Sequence, residues 1–305
     1  MRRFGPLAFF AFIVIFSFFF FKISIRDLML SISRIKPWEL CILLLVFVFV
    51  SLLSVMIKKY LLRAAGYRVS LRNMGLIYFS ATTAHYSSPA KLGFPLTLYL
   101  QNTMCQVPYA VSGSLLVVEI SASLLVTGLV IAFGSMPFLY QLAHRISWFT
   151  GGLVALGLAI AASSALFFAR DWTLRHLTNL YRTAGSVPKS TWVVLPLLLM
   201  LSYALTGGFI MLSVRFLSSG ISLPSSIVVS AISHFAGAIS FIPMGLGVSD
   251  FSMMACLQVF HVPAGAAIGV VALYRLFFTA CNYGIGLLSG MVLGLEGISK
   301  KAPPR

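Results

Sequence analysis

Charge is scarce in this chain, and negative charge is scarcest. Asp and Glu together number 6 among 305 residues, against 22 Lys and Arg, and charged residues of both signs make up 9%. Soluble globular chains carry about 25%. With 59% of residues hydrophobic, too little polar surface remains to cover a water-soluble fold. A soluble enzyme and a nucleic-acid-binding domain are both excluded, despite the net charge of +16. The basic excess reads instead as loop charge facing anionic lipid. The four cysteines, Cys41, Cys105, Cys256 and Cys281, form no C-x-x-C pair and lie in or beside apolar stretches. That excludes a disulfide framework and a zinc site, and each reads as a small buried hydrophobe. Ser-His-Asp, P-loop, dinucleotide and paired-carboxylate patterns are missing too. No cofactor, metal or catalytic residue is expected. The fold class that remains is all-α: a polytopic helical membrane protein.

Six segments approach the roughly 20 apolar residues that a crossing needs: 6–25, 38–57, 109–133, 148–169, 192–214 and 264–294. The first follows Arg2 and Arg3, and no small-residue cleavage site comes between Phe21 and Lys22, so it reads as a retained helix rather than a signal peptide. Trp38, Trp148 and Trp192 stand at span starts and Trp172 just past an end, where an aromatic belt belongs. Two further apolar stretches, 73–106 and 225–260, are interrupted near their middles by Pro89 and Gly93 and by Pro243, Gly245 and Gly247. Proline removes a donor and glycine permits unusual dihedrals. Each stretch is expected to be a broken, re-entrant helical hairpin, tolerated where it lines a wet cavity or is buried in protein.

The pattern occurs twice. Trp38 and Trp192, Gly66 and Gly220, Pro89 and Pro243, and Gly93 and Gly247 are each 154 residues apart. Pro108 and Pro263 are 155 apart, and Gly128 and Gly284, like Gly134 and Gly290, are 156 apart. The chain therefore divides as one transmembrane domain, 1–305: an extra first helix at 6–25, repeat A at 38–134, a linking span at 148–169 and repeat B at 192–290. A single intervening crossing inverts the second copy, an arrangement that recurs in transporters. Placing both termini in the cytoplasm puts the larger share of Lys and Arg inside, in 58–72, 170–189 and 300–305, although Lys22, Arg26, Arg34 and Lys36 fall on the wrong side.

Among the acids, Asp27, Glu39, Asp171 and Glu296 sit at span ends or in loops and should be solvated. Glu119 lies deep in a span, Asp250 directly follows the second break, and Arg275 lies at matching depth in the last span. An ionisable residue at bilayer centre costs at least about 2.5–3.5 kcal/mol, so each needs a partner or a cavity. Glu119 and Arg275 are repeat-equivalent, which predicts that they pair, with Asp250–Arg275 as the competing pair. Lys91, in the first break, suits an anionic headgroup or snorkels to the interface. His85 and His234, inside the hairpins, lack the neighbours of a metal site. Gly286, Gly290 and Gly294 form a small-residue strip for close helix packing, within the chain or in a homo-oligomer.

The run Pro243-Met-Gly-Leu-Gly-Val-Ser-Asp250, followed by Tyr274-Arg275, resembles the signature of the lysylphosphatidylglycerol synthase transmembrane (flippase-like) family. Pro89-Ala-Lys91-Leu-Gly93, with Glu119 in the next helix, resembles that family's first break. Phe94 stands where the first break usually has glutamate, Met244 where the second has glycine, and Asp250 where it has glutamate. The resemblance spans about 38–290. It implies a multi-pass protein of the bacterial inner (plasma) membrane whose partner is a phospholipid or polyprenyl-type lipid, without the soluble synthase domain of the two-part members. The function expected is translocation of a polar or charged lipid through a cavity between the repeats, along Glu119, Asp250, Arg275, Lys91, His85 and His234. A membrane-embedded lipid-modifying transferase and an accessory subunit of an envelope-lipid enzyme are the alternatives.

Overall fold

A computed structural model describes residues 33, 35–88, 92–134, 188–218, 220–240, 245 and 247–301. The expected spans 6–25 and 148–169, and Pro89, Lys91 and Pro243, lie outside them. The described residues are built on helices throughout, and four apolar helices are long enough to cross a membrane. These are α1 (Pro37–Ala64), α4 (Tyr109–Gly134), α5 (Thr191–Leu217) and the rod from Ala264 to Gly294. The rod comprises α8 (Ala264–Tyr274), a π-helical segment (Arg275–Cys281) and the first part of α9 (Asn282–Lys301). Between the long elements lie α2 (Leu71–Ser87) and α3 (Gly93–Cys105), then α6 (Leu223–Ile239) and α7 (Val248–Val259). At 17, 13, 17 and 12 residues, each falls short of the roughly 20 residues that a crossing takes.

Local chemistry sets these boundaries. Pro37 starts α1 where a missing N–H costs nothing, and Glu39 accepts the Lys36 amide at 2.8 Å. Glu39 is thereby buried, not solvated as expected from its place at a span end. Ser70 and Ser222 cap α2 and α6 by accepting the amides of Asn73 and Ser225. Just before these caps, Gly66 and Gly220 turn the chain at φ +90° and +96°. Past α3 and α7, Gln106 and His261 both take positive φ. Many hydroxyls inside the helices bond back to the preceding turn, as Thr82 does to Tyr78 and Ser213 to Phe209, which satisfies them without water; those of Ser80, Ser112 and Ser230 bond nothing.

Helix α1 packs along α5, α2 along α9, and α6 along α4. Exchanging the two halves of the chain maps the α2–α9 contact onto the α4–α6 contact and returns α1–α5 to itself. Glycines permit the close crossings: a Cβ at Gly134 would strike Val228 of α6, and one at Gly286 would strike Thr83 and the Phe79 carbonyl of α2. Gly290 also faces α2, near Ser80. The strip considered for a second copy is thus occupied, at these two positions, by the chain itself. Three apolar clusters fill the interior, around Leu62 and Met74, around Ile210 and Leu257, and around Phe47, Phe209 and Phe278. Leu45, Phe49 and Met56 of α1, Phe133 of α4 and Leu288 and Met291 of α9 point outward. A soluble monomer cannot carry so much continuous exposed apolar surface, whereas lipid tails cover it. Cys41 is exposed on this surface and the other three cysteines are partly buried, so none is the fully buried hydrophobe expected; none is in a disulfide.

Candidate functional site

Among the described residues, two ion pairs stand within the helical frame. The first joins α7 to the π-helical segment. Gly245 and Gly247, at φ +60° and +83°, carry the chain into α7 through backbone that L side chains rarely adopt. A Cβ on Gly245 would come within 2.9 Å of the Gly237 Cα, so α6 and the entry to α7 meet backbone to backbone. The Gly247 amide donates to Asp250 Oδ2 at 3.0 Å, which fixes the carboxylate three residues into the helix start. Arg275 then grips it from the neighbouring helix: Nε donates to Oδ1 at 2.7 Å and Nη2 to Oδ2 at 3.0 Å. Bidentate pairing of this kind is strong and directional. Nη2 also reaches the Ser249 hydroxyl at 2.9 Å and Nη1 the Thr279 hydroxyl at 3.3 Å. Ser249 in turn donates to the Gly245 carbonyl and accepts Ser233 at its own carbonyl. Asp250 thus accepts three hydrogen bonds, and Arg275 donates to the carboxylate and to two hydroxyls.

Arg275 opens the π-helical segment, and a π-bulge amounts to one inserted residue. The spacing between matching positions steps from 155 at Pro108 and Pro263 to 156 at Gly128 and Gly284, within the rod that holds this segment. The carbonyl of Phe278 accepts both the Tyr86 hydroxyl at 3.1 Å and the Asn282 amide at 3.0 Å, so the irregular backbone is satisfied by α2 and by its own next turn. Beside it, His234 Nε2 and the Tyr274 hydroxyl lie 2.7 Å apart. The Tyr203 ring packs on His234 and its hydroxyl bonds Thr127. His234 is held in this polar thread. His85, on α2, packs against the rings of Tyr86 and Phe94. Among the described residues no group of three or more His, Cys, Asp or Glu could hold a metal ion.

The second pair corrects an expectation. Glu119 does not meet Arg275. It accepts Lys58 Nζ with both carboxylate oxygens, at 2.9 Å each, while Arg275 is taken by Asp250. Lys58, expected in the cytoplasmic loop, lies in α1, because the helix runs on past residue 57 to Ala64. Equal depth of repeat-equivalent residues does not bring them together here, because α4 packs on α3, α5 and α6 while the rod packs on α2, α5 and α7. Around the Lys58–Glu119 pair is a shallow cleft of about 290 Å³, its open mouth included. Each wall is one helical stripe: Lys58, Leu61 and Leu62 of α1; Thr97 and Gln101 of α3; Ser112, Leu115, Leu116 and Glu119 of α4. Those spacings of three and four residues are the ones that share a helix face. Ser112 is 2% exposed, and its hydroxyl has no hydrogen-bond partner. Sequence reasoning missed Lys58, Gln101 and Ser112; the stripe from Ser112 to Glu119 was the available signal, hidden in a helix whose neighbours are nearly all apolar.

Fold and site together define a polytopic helical membrane protein that holds two ion pairs among its described residues. The family follows from residues 5–286, which match the model of the lysylphosphatidylglycerol synthase TM region; the chain belongs to that family. It is a multi-pass membrane protein tied to lipid metabolism or transport. The comparison with curated proteins returned no match.

Proposed function

We propose that this protein moves a polar lipid between the leaflets of the bacterial inner membrane, the headgroup engaging a polar cleft walled by helices of repeat A while the tails stay in lipid. The observation that carries the reading is a polar cleft with an ion pair inside an otherwise apolar frame, in a chain of a lipid-handling family. An intramembrane ion pair marks a substrate path more often than a structural ornament. Glu119 lies about 15 Å along α4 from Tyr109, and Arg275 about 17 Å along the rod from Ala264, at roughly 1.5 Å per residue. With both termini cytoplasmic, the Lys58–Glu119 cleft is approached from the cytoplasmic leaflet and the Asp250 clasp from the other.

Further support for inverted repeats comes from the matched helix order, the paired turns at Gly66 and Gly220, and the contacts that survive exchange of the halves. The four short helices suit re-entrant hairpins, each turning back within the membrane. The test is leaflet exchange in liposomes reconstituted with the full chain. The probes are tail-labelled fluorescent phospholipids with different headgroups, bleached from outside by an impermeant reductant. Bleaching should proceed beyond the outer-leaflet fraction for at least one headgroup. Bleaching that stops at that fraction for every phospholipid and polyprenyl lipid tried would overturn the reading.

A further inference from the structure

The Lys58–Glu119 cleft is unfinished in a way the Asp250–Arg275 clasp is not. An ammonium has three donors and a carboxylate room for about four hydrogen bonds; the pair spends two of each. Beside it stand the Ser112 hydroxyl, buried and without a partner, and the Gln101 side chain on a residue 6% exposed. Spare donors are therefore Lys58, Gln101 and Ser112, and spare acceptors are on Glu119. All four residues line one cleft.

We infer that this cleft binds a net-neutral zwitterionic lipid headgroup: an anionic phosphate on Lys58, Gln101 and Ser112, and a primary ammonium on Glu119. The inference deepens the translocation reading by naming the substrate class, and rests on it for the ligand's being a lipid. Charge balance selects the class. The pair is already neutral, so an anionic headgroup would leave a net negative charge among Leu61, Leu62, Leu115 and Leu116, and a cationic one a net positive charge. A zwitterion adds one charge of each sign and leaves the sum at zero, at the place where an uncompensated charge is most costly. Glu119 needs a hydrogen-bond donor, so an ethanolamine-type ammonium, which has three N–H groups, fits and a quaternary choline, which has none, does not.

The test uses the full-length protein purified in a non-ionic detergent. Lipid retention is counted by native mass spectrometry after incubation with phosphatidylethanolamine, phosphatidylcholine or phosphatidylglycerol, and with soluble phosphoethanolamine as competitor. Phosphatidylethanolamine should be retained about tenfold or more over the other two, the difference expected for hydrogen bonds to a charged group. Gln101→Leu and Ser112→Val remove no hydrogen bond of the empty protein, so both should fold, and each should weaken retention severalfold. Glu119→Gln should abolish the preference over phosphatidylcholine. Equal retention of all three lipids, preference for phosphatidylglycerol, or retention unmoved in folded Gln101→Leu and Ser112→Val would overturn the assignment. Soluble phosphoethanolamine binding as tightly as the lipid would overturn it as a lipid site. Selective retention without leaflet exchange would sink translocation and leave the site standing; exchange without selectivity would do the reverse.

Discussion

The two ion pairs have the same ingredients and opposite finishes. Asp250 and Arg275 are about one-fifth exposed, and so are Lys58 and Glu119. Arg275 meets a carboxylate, two hydroxyls and a helix start held by glycine backbone. Lys58 meets a carboxylate and then a cleft. The rigid guanidinium fork ties the start of α7 to the π-helical segment, whereas the single ammonium leaves room for something else. Saturation, more than depth or charge, separates a strut from a binding site.

The comparison can be broken most forcefully at the strut. Arg275→Gln leaves Asp250 facing α6 and α7 with one amide for company, and removing one partner of a buried pair costs about 3–5 kcal/mol; the low end applies at this exposure. Thermal unfolding in detergent should show a large fall in midpoint, partly restored by adding Asp250→Asn. A single variant as stable as the wild type would show that the clasp bears no load. Next in size, Gly286→Leu drives a side chain into Thr83 and the Phe79 backbone. Overpacking of this kind costs about 1–3 kcal/mol, read as loss of the monodisperse peak in size-exclusion chromatography. Gly247→Val, at φ +83°, should cost about 1–3 kcal/mol by backbone strain alone, since no neighbour lies within 4 Å of its Cβ position. Gly247→Ala should be milder, because its Cβ carries no branch to crowd the backbone at φ +83° and ψ −52°; Gly247→Val as stable as the wild type would deny the strain.

At the cleft the stability effects shrink. Glu119→Gln should lower stability by about 1–3 kcal/mol, less than Arg275→Gln because fewer hydrogen bonds are lost. Ser112→Ala removes a hydroxyl that bonds nothing and should leave the unfolding midpoint unchanged within error. A clear drop for Ser112→Ala would place a hidden partner on that hydroxyl.

Much of the frame was legible because membrane physics writes it in runs. Long apolar segments with Trp38 and Trp192 at their heads marked α1 and α5, and Gly245 and Gly247 marked the entry to α7 before its φ angles were seen. Asp250–Arg275 was readable as one of two pairings, since both residues lie in a recognisable motif. The partner of Glu119 was not. Lys58 sits beside Lys59 at the edge of an apolar run, and counting charges assigns such a residue to a loop; only the helical extension to Ala64 carries it to Glu119. Ser112 and Gln101 were invisible for a different reason. A hydroxyl or amide inside an apolar helix normally bonds back to its own backbone, and nothing in sequence says which one does not. The π-helical turn left a trace only as a one-residue step in the repeat spacing.

The most direct test of this division of labour is the leaflet-exchange rate per folded molecule for two neutralised double variants, reconstituted side by side. Lys58→Gln with Glu119→Gln should fold in good yield and exchange phosphatidylethanolamine about tenfold more slowly than the wild type. Asp250→Asn with Arg275→Gln should give less folded protein, and what folds should exchange near the wild-type rate. Wild-type exchange from the Lys58 and Glu119 double variant, with exchange lost only when Asp250 and Arg275 are neutralised, would contradict the account.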